Sequence, residues 1–304
     1  MIAKVQVWIA AARLRTLPLS VSGILLGNGM AYIEGNFSVL IASVALLTTI
    51  AFQVLSNIAN DYGDGIKGTD NAQRIGPVRM LQQGKLTATE LKNGLRWGVC
   101  ICLVLTTLLL FLALDIHNWK VWFSFFVLGV AAIIAAITYT VGKRAYGYYA
   151  LGDLFVFIFF GIVSVMGSHY LQTQRLDFAL LLPATSIGCF SSAVLNLNNM
   201  RDRENDRLSN KITLPILLGI KHAKTYHVLL IVIAFLSSVM FAQLKGFSTV
   251  GYGFIVLIIP FGSHLKTIFK ITDPHHFDPE LKTVALGTFT FSLVFVLSAI
   301  MQTL

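Results

Sequence analysis

The 304 residues predict an all-α, polytopic membrane protein: a single bundle of nine transmembrane helices whose loops on one face cap a central cavity. Three observations carry that expectation. The chain is 56% hydrophobic and 12% charged, and its mean hydropathy of +0.74 is far above that of an ordinary soluble domain. Its apolar residues fall into nine stretches, each close to the roughly 20 residues that a helix needs to cross a hydrocarbon core of about 30 Å. The basic residues between those stretches gather on one side.

The stretches lie near 16–33, 37–60, 95–114, 120–142, 149–171, 177–200, 225–245, 248–265 and 283–303. Before the first, "MIAKVQVWIAAARLRT" carries Lys4, Trp8, Arg13 and Arg15, a pattern for an interfacial helix and not for a cleavable leader. With the N-terminus inside, 20 of the 23 Lys and Arg residues fall on the cytoplasmic face, and only Lys120, Arg175 and Lys245 lie opposite. Topology therefore accounts for the net charge of +9, and no nucleic-acid partner is expected. The three cysteines, Cys100, Cys102 and Cys189, fall inside spans with no CxxC pair and are expected to pack as small apolar residues. No linker-like or low-complexity tract divides the chain, so 1–304 reads as one domain.

Charge breaks the apolar pattern in two places. The second stretch ends in "NIANDYGDGIKGTD" (57–70) and the sixth in "NLNNMRDREND", within 196–211. Asn60 and Asp64 recur 138 residues later as Asn198 and Asp202, followed by Asp206. Residues i and i+4 share a helix face, so each set can aim oxygen atoms at one point; Asp61 and Asp64 also share a face. Both sets sit at helix C-terminal ends, where the macrodipole disfavours carboxylates and a cation should compensate. One such cluster is also what a solvated loop or a cap looks like. Two with matched spacing on the same face point to a site for a hard divalent cation such as Mg²⁺, which takes one or two carboxylates and shares its octahedron with water and phosphate. The same loops carry Lys67, Arg74, Arg79 and Lys85, then Arg201, Arg203, Arg207 and Lys211. Acids that hold a metal beside bases that neutralise phosphate oxygens fit a diphosphate ligand. Arg79 and Lys211 stand out, each just downstream of an acidic set.

With its nine spans, "NDYGD" and "NNMRDREND", the chain resembles the UbiA superfamily of intramembrane prenyltransferases. "ARLRTLPLS", "GPVRMLQQGKLT", "GDLFVFIFFG" and "NKITLPILLG" are similar to its branch acting on 1,4-dihydroxy-2-naphthoate in menaquinone synthesis. The resemblance implies Mg²⁺-dependent transfer of a polyprenyl group from polyprenyl diphosphate to that acceptor, with loss of its carboxyl group, in a bacterial inner membrane with the site facing the cytoplasm. It places the superfamily's N-x-x-x-D-x-x-x-D pattern on Asn60, Asp64 and Gly68, and on Asn198, Asp202 and Asp206; Gly68 departs from the pattern, and Asp61 or Asp70 would supply the missing charge. It places a Tyr-x-x-x-Lys-Arg pattern on Tyr139, Lys143 and Arg144, the last two as diphosphate ligands.

Further expectations concern single residues. Tyr139 could face an allylic cation. Asp153, an ionisable group inside a span, could orient an acceptor hydroxyl or pair with Lys143. "DPHHFDPE" (273–280) reads as a solvated loop, and His169 as interfacial. Three rivals remain at the level of sequence: another acceptor such as 4-hydroxybenzoate, a cation-coupled transporter, and a protein that binds a lipid diphosphate without turning it over.

Overall fold

A computed structural model describes residues 2–303 and is helical throughout, with no strands among those residues. Twelve α-helices are present: α1 (Ile2–Ala12), α2 (Leu17–Ile33), α3 (Val39–Ile66), α4 (Ala88–Ala113), α5 (Trp119–Thr138), α6 (Gly152–Val156), α7 (Ser164–Thr173), α8 (Leu181–Arg201), α9 (Arg203–Leu208), α10 (Leu214–Leu244), α11 (Ile258–Lys270) and α12 (Phe277–Met301). A π-helical segment, Phe157–Val163, joins α6 to α7 into one span. Nine helical stretches among the described residues are long and apolar enough to cross a membrane.

The spans match the nine expected from hydropathy, and their ends differ where local chemistry overrides it. Helix α3 runs six residues past the expected end and so carries Asp61 and Asp64 within the helix. Helix α4 begins at Ala88 because Thr87 and Glu90 form a reciprocal capping box there. Helix α10 begins at Leu214, well before the expected 225, and breaks at Gly219 (φ 75, ψ 160), a backbone conformation open only to glycine.

Helix α8 is the axis of the bundle, packed against α10, α12 and the π segment. Its "SIGCFSSAVLNLNN" holds small residues where helices must approach closely without hydrophobic drive from water. Ser186 donates to the Ala234 carbonyl (2.6 Å) and meets Ser238 (2.7 Å), while Asn196 donates to the Ala223 carbonyl (3.0 Å). Between them on α8, Phe190 contacts Phe261, Phe291 and Phe235 at centroid distances of 4.9, 5.0 and 5.5 Å. Helix α1 lies over the Asp64 end of α3, tied by Asn57, which donates to the Ala12 carbonyl (2.8 Å). Cys102 and Cys189 are buried as packing residues, whereas Cys100 is exposed on α4.

Candidate active site

Helix α3 delivers Asn60 and Asp64, one turn apart, to the mouth of a cavity. Asp61 points elsewhere: its carboxylate accepts from the Met80 and Leu81 amides (3.2 and 3.4 Å) and fastens the following loop. Past the C-cap Lys67, Gly68 adopts φ 75, the left-handed residue that ends a helix by turning the chain back. The Thr69 amide then donates to the Asp64 carbonyl (3.0 Å), and Asp70 comes alongside Arg74 Nε (3.0 Å) and Arg79 Nε (3.1 Å). Gly68 thus lacks the carboxylate of the superfamily pattern, and the turn it makes carries Asp70 back against Arg74 and Arg79. Asp64, 2% exposed, pairs with Arg79 Nη2 (3.2 Å) and accepts from the Tyr148 hydroxyl (2.8 Å).

Helix α8 brings the second set. Arg201, 1% exposed, donates from Nη2 to Asn198 Oδ1 (2.8 Å) and from Nε and Nη2 to Asp202 (2.9 and 2.7 Å), and it pairs with Asp278 of α12 (2.5 Å). Asp206 follows in α9. Asn210 then takes φ 54, a left-handed conformation that asparagine tolerates, and the Lys211 amide donates to the Asp206 carbonyl (2.8 Å). That turn swings Lys211 Nζ between Asp206 (3.5 Å) and Asp64 (3.9 Å). The two motifs meet there. Arg74 reaches Asp202 at 3.8 Å, and Asn205 donates to the Thr69 carbonyl (2.8 Å), closing the same junction.

Burial and pairing set the charge states. Burial pushes the Asp206 carboxyl up to about 6, although Lys211 beside it works the other way. Burial acts on Asp202 in the same direction, but Arg201 and Arg74 hold it below the usual carboxylate range. Lys211 is raised despite its burial because Asp206 and Asp64 flank it. Asp206 Oδ2, Asn199 Oδ1 and Asn205 Oδ1 are buried acceptors without a hydrogen-bond partner. Among the described residues no three His, Cys, Asp or Glu side chains converge into a metal cage. The unpartnered Asp206 Oδ2, with the oxygens of Asn60, Asp64, Asn198 and Asp202, is hard-oxygen donor chemistry that fits Mg²⁺.

The mouth opens into a cavity of ≈ 700 Å³. Asn60, Asp64, Arg79, Asn198, Arg201 and Lys211 line its polar end, and Tyr139 and Tyr146 stand where polar lining gives way to apolar. Several expected residues are elsewhere. Lys143 and Arg144 are exposed and do not line the cavity. Asp153 is buried against Tyr226, whose hydroxyl lies 3.3 Å from its Oδ1, so its partner is that tyrosine and not Lys143. His169 is 1% exposed and lies 3.3 Å from Glu34, the residue that ends α2. In "DPHHFDPE", His275 and His276 are exposed, but Asp278 lines the cavity and Glu280 pairs with His264.

Three contributors carry little signal in the sequence. Tyr148 bridges Asp64 and Thr69 (2.7 Å), and its ring lies 3.9 Å from Lys67 Nζ. It is placed by a backbone bridge between its own loop and the one before α10, where the Ala150 amide donates to Ile212. Arg13 holds a left-handed conformation (φ 51, ψ 60) that costs a non-glycine residue on the order of 1–2 kcal/mol. Its side chain lines the cavity, with Nη2 unpartnered. Asp278 is the third, 77 residues from the arginine it pairs with.

Residues 20–276 match the model of the UbiA prenyltransferase family. The chain is 40% identical to 1,4-dihydroxy-2-naphthoate octaprenyltransferase of Escherichia coli, covering 97% of this chain and 96% of that one. It is 39% identical, with the same coverage, to the protein of that name from Haemophilus influenzae. Its fold is similar to a solved UbiA homologue from Aeropyrum pernix, with a TM-score of 0.69 at 14% identity over 96% of this chain and 99% of that one. A structure described for digeranylgeranylglyceryl phosphate synthase gives 0.65 at 17% identity over 98% and 99%. With a multi-pass helical fold, two Asn/Asp helix ends joined at one cavity and a family match over most of its length, the chain belongs to the UbiA prenyltransferase family.

Proposed function

We propose that this protein transfers a polyprenyl group from polyprenyl diphosphate to 1,4-dihydroxy-2-naphthoate, releasing diphosphate and CO₂. The observation that carries the reading is the junction at Lys211, which lines the cavity with Asp64 of the first motif and Asn198 of the second and pairs Asp64 with Asp206, a carboxylate set behind the lining. The relatives' shared name supplies the acceptor.

Ionising an allylic diphosphate concentrates negative charge on the leaving group, so catalysis consists chiefly of stabilising that charge in a water-poor site. Asn60, Asp64, Asn198, Asp202 and Asp206 would hold Mg²⁺, which when bound supplies positive charge to the diphosphate. Arg79 and Lys211 already stand at the mouth and donate to its remaining oxygens. Tyr139 presents its ring to the allylic end, an interaction worth about 2 kcal/mol when desolvated. The apolar walls below keep water from the cation until the electron-rich ring carbon attacks it and gives up its carboxyl group as CO₂. Lys143 and Arg144, exposed on the loop beyond Tyr139, act at long range by drawing the polyanion toward the mouth. The concentration of basic residues on the motif face supports a site on the cytoplasmic side with the N-terminus inside, and the bacterial relatives support an inner-membrane location.

The test is an assay of the purified protein with Mg²⁺, a polyprenyl diphosphate and carboxyl-labelled 1,4-dihydroxy-2-naphthoate, with 4-hydroxybenzoate in parallel. Prenylated product with stoichiometric release of label is the expected result. Prenylation of 4-hydroxybenzoate alone would overturn the acceptor, and no Mg²⁺-dependent product from either would overturn the reaction.

A further inference from the structure

Three ionisable side chains form a chain of contacts outside the lining of the cavity. Glu280 of α12 pairs with His264 Nδ1 of α11, and His264 Nε2 lies 2.8 Å from His227 Nε2 of α10. Both imidazoles are enclosed, His227 at 0% and His264 at 3% exposure. A carboxylate on Nδ1 assigns the tautomer: that nitrogen carries the proton, so His264 Nε2 accepts from His227 Nε2–H. Further along the same helices the packing is ring on ring, through Phe235 of α10 and Phe261 of α11. Ionisable groups inside a span are costly, and this set is not needed to fill space.

Glu280 belongs to a turn that otherwise faces the cavity. Asp278, Pro279, Leu281 and Lys282 line it, whereas Glu280 is turned behind it, as residues two apart on a helix project roughly 200° apart. That turn has no cap of its own, because His276 at its start makes no side-chain capping bond. It is held from two sides instead: Asp278 pairs with Arg201 in front, and Glu280 pairs with His264 behind. The contacts close into a ring. From Arg201 on α8 they pass through Asp278 and Glu280 to His264 and His227, and one turn before His227 the Ala223 carbonyl accepts from Asn196, back on α8. Asn198 and Asp202 hold Arg201 from its own helix, and Asp278 holds it from another span.

We propose that Glu280 is a positioning residue for the diphosphate of the donor: by way of His264 and His227 it fixes the first turn of α12, keeps Asp278 on Arg201 and so aims that guanidinium at the mouth of the cavity. The inference rests on the prenyl-transfer reading. Released from Asp278, the guanidinium turns to Asp202 alone and its Nη1 edge leaves the mouth. A plain staple between three spans would stabilise the fold without touching donor affinity, and that difference is measurable.

The test measures kcat, the KM for octaprenyl diphosphate and Tm in detergent, with saturating Mg²⁺ and 1,4-dihydroxy-2-naphthoate. The proteins compared are wild type, Glu280→Leu, Glu280→Gln, Asp278→Asn and the double variant of Glu280→Leu with Asp278→Asn. Glu280→Leu is expected to raise the donor KM about tenfold and to leave the acceptor KM within about twofold, whereas Glu280→Gln stays within about threefold of wild type because its amide oxygen still accepts from His264. With Asp278 already changed, Glu280→Leu adds less than about twofold, since residues that act through one contact are not additive. Should Glu280→Leu not elute as a folded species, His264→Leu cuts the same chain and leaves Glu280 where its side chain is 16% exposed, and the same rise in donor KM is expected. A lower Tm with an unchanged donor KM in the cut variant would overturn the inference and leave a staple. So would a full tenfold effect of Glu280→Leu in the Asp278→Asn background. Wild type without Mg²⁺-dependent product would overturn prenyl transfer itself, a result distinct from an active enzyme whose donor KM does not respond.

Discussion

Lys211→Met removes the ammonium that joins the two acidic motifs while keeping the length of the side chain. At 3.5 and 3.9 Å, each carboxylate attracts Lys211 by about 4–5 kcal/mol at an effective dielectric near 20, before the cost of burying the ammonium is subtracted. The net loss on removing one partner of such a buried group is on the order of 3–5 kcal/mol, because Asp64 and Asp206 keep their charge without the neighbour that offsets it. At a few degrees per kcal/mol for a chain of this size, Tm in detergent without metal falls on the order of 10 °C. Mg²⁺ with diphosphate supplies replacement charge, so the gap between variant and wild type narrows by at least half when both are added. Turnover falls at the same time, because a donor to the leaving group is gone. A metal-free Tm within about 2 °C of wild type would refute the argument, since Lys211 would then not be the counter-charge for both motifs.

Asp64→Asn and Asp202→Asn are each expected to abolish turnover while the protein still elutes as a folded species, measured by product formation and size-exclusion chromatography in detergent. Lys143→Ala and Arg144→Ala are expected to raise the KM for the diphosphate no more than about threefold, with an effect that shrinks as salt is added, because exposed charges act through screened attraction. Asp153→Asn is expected to lower Tm and leave the acceptor KM within twofold, since its partner is Tyr226 and not the cavity. For Asp206, raised to about 6, the folded state binds a proton that the unfolded chain releases near pH 4. Its contribution therefore disfavours the metal-free fold progressively as pH rises from about 4 to about 6, and is constant above. The Tm difference between Asp206→Asn and wild type should grow over that window, and Mg²⁺ should raise wild-type Tm more at pH 7.5 than at pH 5, where a proton competes for the carboxylate.

Hydropathy was enough to place nine spans because a bilayer demands that each segment satisfy its own backbone, and that demand is written locally. The ends were less legible. The capping box at Thr87 and Glu90 is visible in sequence once a start is sought there, but the break at Gly219 lies inside an apolar run that reads equally well as loop or helix. The π segment leaves no periodicity of its own. At the site, Asn60, Asp64 and Asn198 were readable from i,i+4 spacing alone, and the structure sets all three on the cavity. The choice between Asp61 and Asp70 was not, because it depends on the left-handed turn at Gly68, which sends one carboxylate to backbone amides and the other to Arg74 and Arg79. Arg201 was visible as one base among several. What separates it from Arg203 and Arg207 is its contact with Asp278, and a pairing across 77 residues has no local signature.

The position of the acids at helix C-terminal ends now has a physical account. Carboxylates there face the negative end of the macrodipole, and each motif answers with a cation from its own turn: Lys67 caps α3, and Arg201 occupies the last turn of α8. Those two cations lie at different depths. Lys67 is turned outward over the Tyr148 ring, whereas Arg201 is enclosed and shared among Asn198, Asp202 and Asp278. Asp64 of the first motif is therefore held by Arg79, Lys211 and Tyr148 and not by the cation of its own turn, whereas Asp202 of the second is held by Arg201 itself, which a metal would have to share or displace. If so, loss of Arg201 should harm the fold more than loss of Lys67. Arg201→Leu leaves Asp202 buried without its closest counter-charge, an expected cost of about 3–5 kcal/mol, while Lys67→Leu gives up a half-buried cation–π contact worth about 1 kcal/mol. Equal Tm losses in the two variants would mean that the motifs are equivalent and that this division of roles is wrong.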